Sequence, residues 1–246
     1  MITKQFPYIQ KFCVLALCAI TIVFGVTIIL YATVFRSVVR ARNSVAISAV
    51  AMTYSLDVAQ LSQAQIDCHF YRAYEHNAFI YGANYHGRTV VQGQWLGEAF
   101  PTPDYYTELL NVGGVMARLV IPTINVDLPV LHGTTPDVMI RGVGHLEGTS
   151  LPTGGYGTHT VLTTHSGKFS ATLFSRLHEL DIGDTFTIYV LDRQLVYKVD
   201  SIIVILPHEI EHLRVDPDAD LVTLITCTPI YVNTHRLLVR GVRLAT

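Results

Sequence analysis

Residues 12–35 form an unbroken apolar run with no charged side chain, closed by Lys11 on one side and Arg36 on the other. About 20 apolar residues in helical form cross a bilayer, so the run predicts a membrane-spanning helix. A secretory signal peptide would carry a shorter apolar core ahead of a small-residue cleavage site. An Ala-x-Ala triplet does occur at 49–51, but the apolar run is too long for a signal core and reads as an uncleaved anchor. Beyond it, Val45, Ala49, Met52, Leu56 and Ala59 recur at helical spacing. Residues 38–83, rich in Ala, Gln and Leu with few turn signals, therefore read as one or two helices. From 82 to 103 the composition shifts to Gly, Pro and aromatic residues and includes the only tryptophan, Trp95. Long irregular segments of this kind are often functional lids or linkers.

After Tyr106 the periodicity becomes that of strands. Residues 115–121 and 125–130, split by Pro122, read as two short strands, and 158–164 as another. Residues 184–191 and 195–206 read as a hairpin around Asp192-Arg193, and 221–226 and 237–244 complete the set. Only 171–180 has helical character in this half. Many short strands with turn punctuation predict a mainly β fold, closed or sandwiched. The chain has no internal repeat and no low-complexity tract.

Composition sharpens this picture at three points. A chain of 246 residues holds one domain with a sizeable core plus an appendage. Its formal net charge of −2 gives no electrostatic footprint for nucleic acid. Lys4 and Lys11 precede the span while Arg36, Arg40 and Arg42 follow it, so positive charge alone leaves the orientation open. Of the four cysteines, Cys13 and Cys18 lie inside the span as small apolar fillers. A disulfide between Cys68 and Cys227 is the bland alternative for an exported protein. However, Cys68 sits in a helical stretch beside Asp67 and His69 and reads as an unpaired structural residue.

The candidate chemistry centres on Cys227. It ends an apolar, β-branched run, Thr223-Leu-Ile-Thr-Cys-Thr-Pro, and Arg236 follows nine residues later at the start of the next strand. The two would face each other across one loop. A thiolate beside a fixed cation makes an activated nucleophile. Such a nucleophile needs a histidine as proton partner and a donor for the oxyanion. His165 ends the strand Thr160-Val-Leu-Thr-Thr and precedes the turn Ser166-Gly167, a place where a barrel presents catalytic groups. His208-Glu-Ile-Glu-His212 competes with this reading. On a helix starting at Pro207, His208 and His212 would share a face to hold zinc, with Glu209 as base, but no third ligand lies at a recognised spacing. Asp216, Asp218 and Asp220 lack the glycine and terminal glutamate of an EF-hand loop and read as a solvated acidic loop. His132 reads as a loop residue without a role, and His235, beside Arg236 on a strand, should point the opposite way.

The runs Thr223-Leu-Ile-Thr-Cys-Thr-Pro, Asn233-Thr-His-Arg-Leu-Leu-Val-Arg-Gly and Gly144-His-Leu-Glu-Gly-Thr-Ser-Leu-Pro-Thr-Gly-Gly, followed by Thr163-Thr-His, resemble the sortases. More narrowly, they resemble the class C, pilin-polymerising sortases of Gram-positive bacteria. The resemblance covers about residues 105–244. It implies an eight-stranded β-barrel in which Cys227 is the nucleophile, His165 the general acid/base and Arg236 the carbonyl and oxyanion anchor. His145, part of the same pattern, is expected to be structural.

The implied reaction is transpeptidation at a Leu-Pro-x-Thr-Gly-like sorting signal, cleaved between Thr and Gly. The acyl group would pass to a lysine amine of a pilin subunit, so the implied partners are pilin or surface-protein substrates, the acceptor lysine and the membrane. A housekeeping enzyme anchoring surface proteins to peptidoglycan is the alternative. No cofactor and no metal are called for. The resemblance also implies a single-pass cell-membrane protein with a cytoplasmic tail at 1–11, a span at 12–35, a helical spacer at 36–87, a lid at 88–107 and an extracellular catalytic barrel at 108–246. Two departures concern the lid and the C-terminus. Class C lids carry Asp-Pro and an aromatic residue, whereas here Trp95, Phe100 and Pro103-Asp104-Tyr105 stand in that region. The Asp-Pro at Asp216 and Pro217 lies on the other side of the barrel, and the second membrane span that many relatives carry is not in this chain.

Overall fold

A computed structural model of the chain describes residues 6–85, 104–166 and 173–244. Helix α1, Phe6–Val58, runs through the apolar stretch and beyond it without a break, and its stretch from Val14 is long and apolar enough to cross a membrane. Helix α2, Gln63–Tyr85, follows after a short turn in which the Gln65 side chain accepts from the Ser62 amide and hydroxyl. This half of a capping box, with Gln65 reaching back to Ser62, satisfies an otherwise orphaned amide donor at the helix start.

Eight strands close into a barrel: β1 Ala117–Ile121, β2 Val126–His132, β3 Val143–His145, β4 Thr158–Thr163, β5 Thr185–Val190, β6 Arg193–Ile205, β7 Asp220–Thr228 and β8 His235–Arg243. Their order around the barrel is β1-β2-β3-β4-β7-β8-β6-β5. The β2–β3 and β4–β7 pairs are parallel and the others antiparallel. Seven of these strands fall on the apolar alternation of the sequence. The eighth, β3, has three residues, two of them Val143 and Gly144, which is too few to carry a period of two. It packs tightly against β2: a Cβ on the preceding Gly142 would stand 2.5 Å from the carbonyl of Pro129.

Strand alternation sorts the core into two clusters. Val222, Leu224, Leu237 and Val239 point into the barrel with Leu119, Val130 and Phe186. Ile225 and Leu238, one residue out of phase, point outward and pack with Leu146, Val161, Ile205 and Leu213. The outer cluster is roofed by residues 206–219, the connection between β6 and β7.

Between 36 and 85 the described chain is helical apart from the turn at 59–62, and it packs on the barrel. Ala51, Tyr54, Val58, Ile66, Phe70 and Ala73 are buried, most of them within the barrel's own core cluster. Tyr54 Oη accepts from the Leu191 amide (2.8 Å) and donates to the Met116 carbonyl (3.1 Å). Arg118, paired with Asp127 at 2.7 Å, also reaches Ser55. Cys68 is exposed on α2 and unbridged.

Three expectations change. Residues 173–180, the described part of the stretch 171–180 with helical character, do not form an α-helix. Among the described part, Leu173 is in the left-handed region (φ 40°), the Phe174 amide donates to the carbonyl of His165, and only Leu177–Glu179 makes a 3-10 turn. His132 ends strand β2, with Nε2 against the Leu109 carbonyl at 2.7 Å, and is no loop residue. The short helix α3, Pro136–Arg141, lies between β2 and β3 and is capped by Thr135; the sequence reading had no element there. The expected lid at 88–107 falls outside the described residues up to 103. Its last residues form the 3-10 turn Asp104–Glu108, whose Tyr106 is buried against the barrel and is therefore part of the packing.

Candidate active site

Strand pairing brings the three predicted residues to one end of the barrel. Cys227 on β7 and Arg236 on β8 are direct partners in the antiparallel register, which sets their Cβ atoms about 5 Å apart on the same face of the sheet. On the other side of β7, Thr163 of β4 pairs in parallel with Ile225. Two residues further along both chains stand His165 and Cys227. The side chains of Cys227, Arg236 and Thr163 alternate in phase with Ile225 and Leu238, so the nucleophile candidate opens onto the outer face, where the second apolar cluster lies.

Side-chain bonds hold this end of the sheet. Arg236 Nη1 donates to the carbonyls of Asn233 (3.0 Å) and His235 (3.1 Å), which ties the guanidinium to the β7–β8 loop. Asn233 is in the left-handed region (φ 63°), a conformation that asparagine tolerates better than most residues. Ser166 Oγ donates to the carbonyl of Cys227 at 2.7 Å. Partial burial lowers the pKa of His165 from its ordinary value. It also lowers that of Arg236, opposed by Cys227, and a guanidinium remains charged regardless.

A narrow cleft of about 20 Å³ continues from this group along the outer face, lined by the apolar residues Leu146, Ile205, Pro207, Ile210, Leu213, Ile225 and Leu238 together with Thr163, Glu209 and Arg236. Its walls come from β4, β7, β8 and the 206–219 connection, so sequence-distant apolar residues meet only in the fold. No local pattern in the sequence pointed to it.

Of the other described histidines, His145 and His159 are held by buried hydrogen bonds. His145 is buried. Its Nδ1 accepts from the Tyr106 hydroxyl (2.7 Å) while Nε2 faces the Ser150 carbonyl (3.0 Å). The tyrosine oxygen in turn accepts from the Gly133 amide. This network accommodates a neutral imidazole, and burial pulls the His145 pKa down to about 3. His159, with its pKa lowered by burial to about 4, bridges the Arg214 carbonyl and the Thr223 hydroxyl and so pins the 206–219 connection to the sheet. His235 contacts the Thr234 hydroxyl.

The H-E-x-x-H stretch takes another form than the zinc reading needs. Residues 207–208 make a turn, Glu211–Leu213 is a 3-10 helix, and Glu209 accepts from the Leu206 amide at 2.6 Å. His208 and His212 therefore do not share the face of an α-helix.

Comparison with known proteins gives a consistent picture. The Sortase domain family matches residues 119–244. Among solved structures, sortase C1 of GBS pilus island 1 is 39% identical, with TM-score 0.72, covering 78% of this chain and 96% of that one. Sortase C-1 from Streptococcus pneumoniae is 38% identical, with TM-score 0.71, covering 79% and 97%. Sortase A of Bacillus anthracis is 29% identical over 128 residues, 52% of this chain and 59% of that protein. The match thus spans a little over half the length of these curated relatives, Sortase A of Bacillus anthracis and Sortase D of Bacillus subtilis.

Proposed function

Because the chain belongs to the sortase family, we propose that it is a membrane-anchored cysteine transpeptidase of the pilin-polymerising kind. The observation that carries this reading is the register partnership of Cys227 with Arg236, two residues beyond the end of the β4–β7 ladder that delivers His165. Similarity to sortase C1 of a pilus island supports the pilin assignment. The long apolar helix α1 supports attachment to the cell envelope. In the proposed topology residues 1–11 are cytoplasmic and the barrel is outside.

The reaction follows from the chemistry of the three side chains. The Cys227 thiolate attacks the Thr carbonyl carbon of a Leu-Pro-x-Thr-Gly-like signal, and Arg236 donates to the oxygen on which negative charge develops. His165, as imidazolium, gives its proton to the Gly nitrogen as the C–N bond breaks. A thioester to Cys227 remains. The lysine amine of an acceptor pilin then attacks the same carbon and returns a proton to His165, and the thiolate leaves. The largely apolar cleft beside Arg236 lies on the same sheet face as Cys227, which supports a contact between its rim and the apolar part of the signal.

Incubating the chain with a Leu-Pro-x-Thr-Gly peptide and an amine, followed by mass spectrometry, tests this. An acyl adduct on Cys227 that disappears in Cys227→Ala supports the proposal. Peptide cleavage that survives Cys227→Ala and is stopped by a chelator would replace it with a metallopeptidase.

A further inference from the structure

The regular ladder between β4 and β7 ends at Thr163 and Ile225, two residues short of His165 and Cys227. Past that point the Thr164 amide reaches the Ile225 carbonyl only at 3.4 Å, a weak bond. Side-chain hydroxyls take over. Thr163 Oγ1 donates to the Ile225 carbonyl at 3.1 Å, Thr226 Oγ1 to the Thr164 carbonyl at 2.9 Å, and Ser166 Oγ to the Cys227 carbonyl at 2.7 Å. These bonds shorten toward the site. The last of them lies at the usual length for a hydroxyl donor and is made by a side chain only 6% exposed, where water competes poorly with it.

The serine bond joins two particular residues. Ser166 follows His165 directly, and the carbonyl it grips is that of Cys227 itself. Along an extended chain, neighbouring side chains leave on opposite faces. Ser166 can therefore hold the backbone while the imidazole of His165 stays on the nucleophile's side. The carbonyl of His165 is fixed independently by the Phe174 amide at 3.2 Å. The Thr164 hydroxyl turns away to the Met139 carbonyl of α3 at 2.8 Å, so it adds nothing at the level of the thiol.

We propose that Ser166 is a positioning residue of the transfer reaction, its hydroxyl holding the strand exit that carries His165 level with Cys227. This rests on the sortase reading above. Ser166 does not touch the reacting atoms, so its effect is on proton transfer and not on binding of the signal.

The test measures peptide-to-amine transfer by the full chain in detergent micelles for the unmodified enzyme, Ser166→Ala and Ser166→Thr. The expected result is a kcat roughly tenfold lower in the alanine variant, on the scale of a sub-ångström misplacement, with KM within about twofold. The threonine variant, which keeps the hydroxyl, recovers most of the loss. Thermal melting of each variant separates a displaced histidine from a loosened barrel. An alanine variant with unchanged kcat overturns the proposal. So does an equal loss in the alanine and threonine variants, or a kcat loss that follows the fall in melting temperature. An unmodified chain that transfers no acyl group overturns the sortase reading and takes this proposal with it, and is told apart from the other outcomes by that alone.

Discussion

Arg236 stands directly across the sheet from Cys227, and its Nη1 is bonded back to the carbonyls of Asn233 and His235. The guanidinium is thereby held beside the thiol by its own loop before any substrate arrives. An ammonium could supply the charge, but it could not bind these carbonyls and present further fixed donors at once. Arg236→Lys should therefore lower kcat/KM by about a hundredfold or more, the scale of losing one oxyanion donor. The melting temperature should barely change. Transfer kinetics together with a thermal melt check this, and near-normal kinetics would remove the anchoring role.

The buried histidines make stability depend on acid. In the folded chain, burial holds the pKa of His145 at about 3 and that of His159 at about 4, while unfolded imidazoles take up a proton near pH 6.5. Above that pH neither state is protonated and these groups leave stability unchanged. Below it the unfolded chain gains protons that the folded chain refuses, so stability falls as pH drops from about 6.5 toward 4. Each histidine contributes about 1.4 kcal/mol per pH unit in that window. His76 and His132, also lowered by burial, act in the same direction. Denaturant titrations at pH 7, 6 and 5 should show the decline, and His159→Gln should make it shallower. A flat profile would contradict the neutral, hydrogen-bonded states assigned here.

Docking of α1 on the barrel predicts where a truncation stops being harmless. Tyr54 bonds the Leu191 amide and the Met116 carbonyl, and burial pushes its pKa up to about 12. Tyr54→Phe strands both backbone groups and should cost about 1–3 kcal/mol. Removing residues 1–44 should leave the denaturation midpoint of the barrel nearly unchanged, whereas removing 1–60 should lower it strongly, because Ala51, Tyr54 and Val58 leave the core. Equal midpoints for the two truncations would show that the helix contributes no packing.

The outer cleft makes a separable prediction about binding. Ile210 lines it from the 206–219 connection, away from the nucleophile. Ile210→Glu places a second carboxylate beside Glu209 in an otherwise largely apolar wall and should raise KM for the signal peptide by about tenfold, within the range set by hydrophobic pocket contacts. Because the residue does not reach the reacting atoms, kcat should change little. A fall in kcat at constant KM would place the peptide elsewhere.

Much of this protein is local and was therefore readable from the chain. The charge-free run at 12–35 needs only its own length to read as a helix long enough to cross a membrane, and seven strands show because five or more alternating residues state their own period. The loop between Cys227 and Arg236 is short enough that a hairpin was the simple outcome, and the two became register partners. Tertiary structure decided what depends on distant partners. Strand β3 is three residues held by its neighbours, and residues 173–180 fold as turns, with Leu173 in the left-handed region and only Leu177–Glu179 in a 3-10 turn. His208 and His212 match a zinc motif in sequence, yet the connection they sit on folds as a turn and a 3-10 helix over the outer sheet. His165 is 62 residues from Cys227, and only the parallel pairing of β4 with β7 brings them level. Register across a barrel is set by the burial of whole faces, and no short window of sequence contains that information.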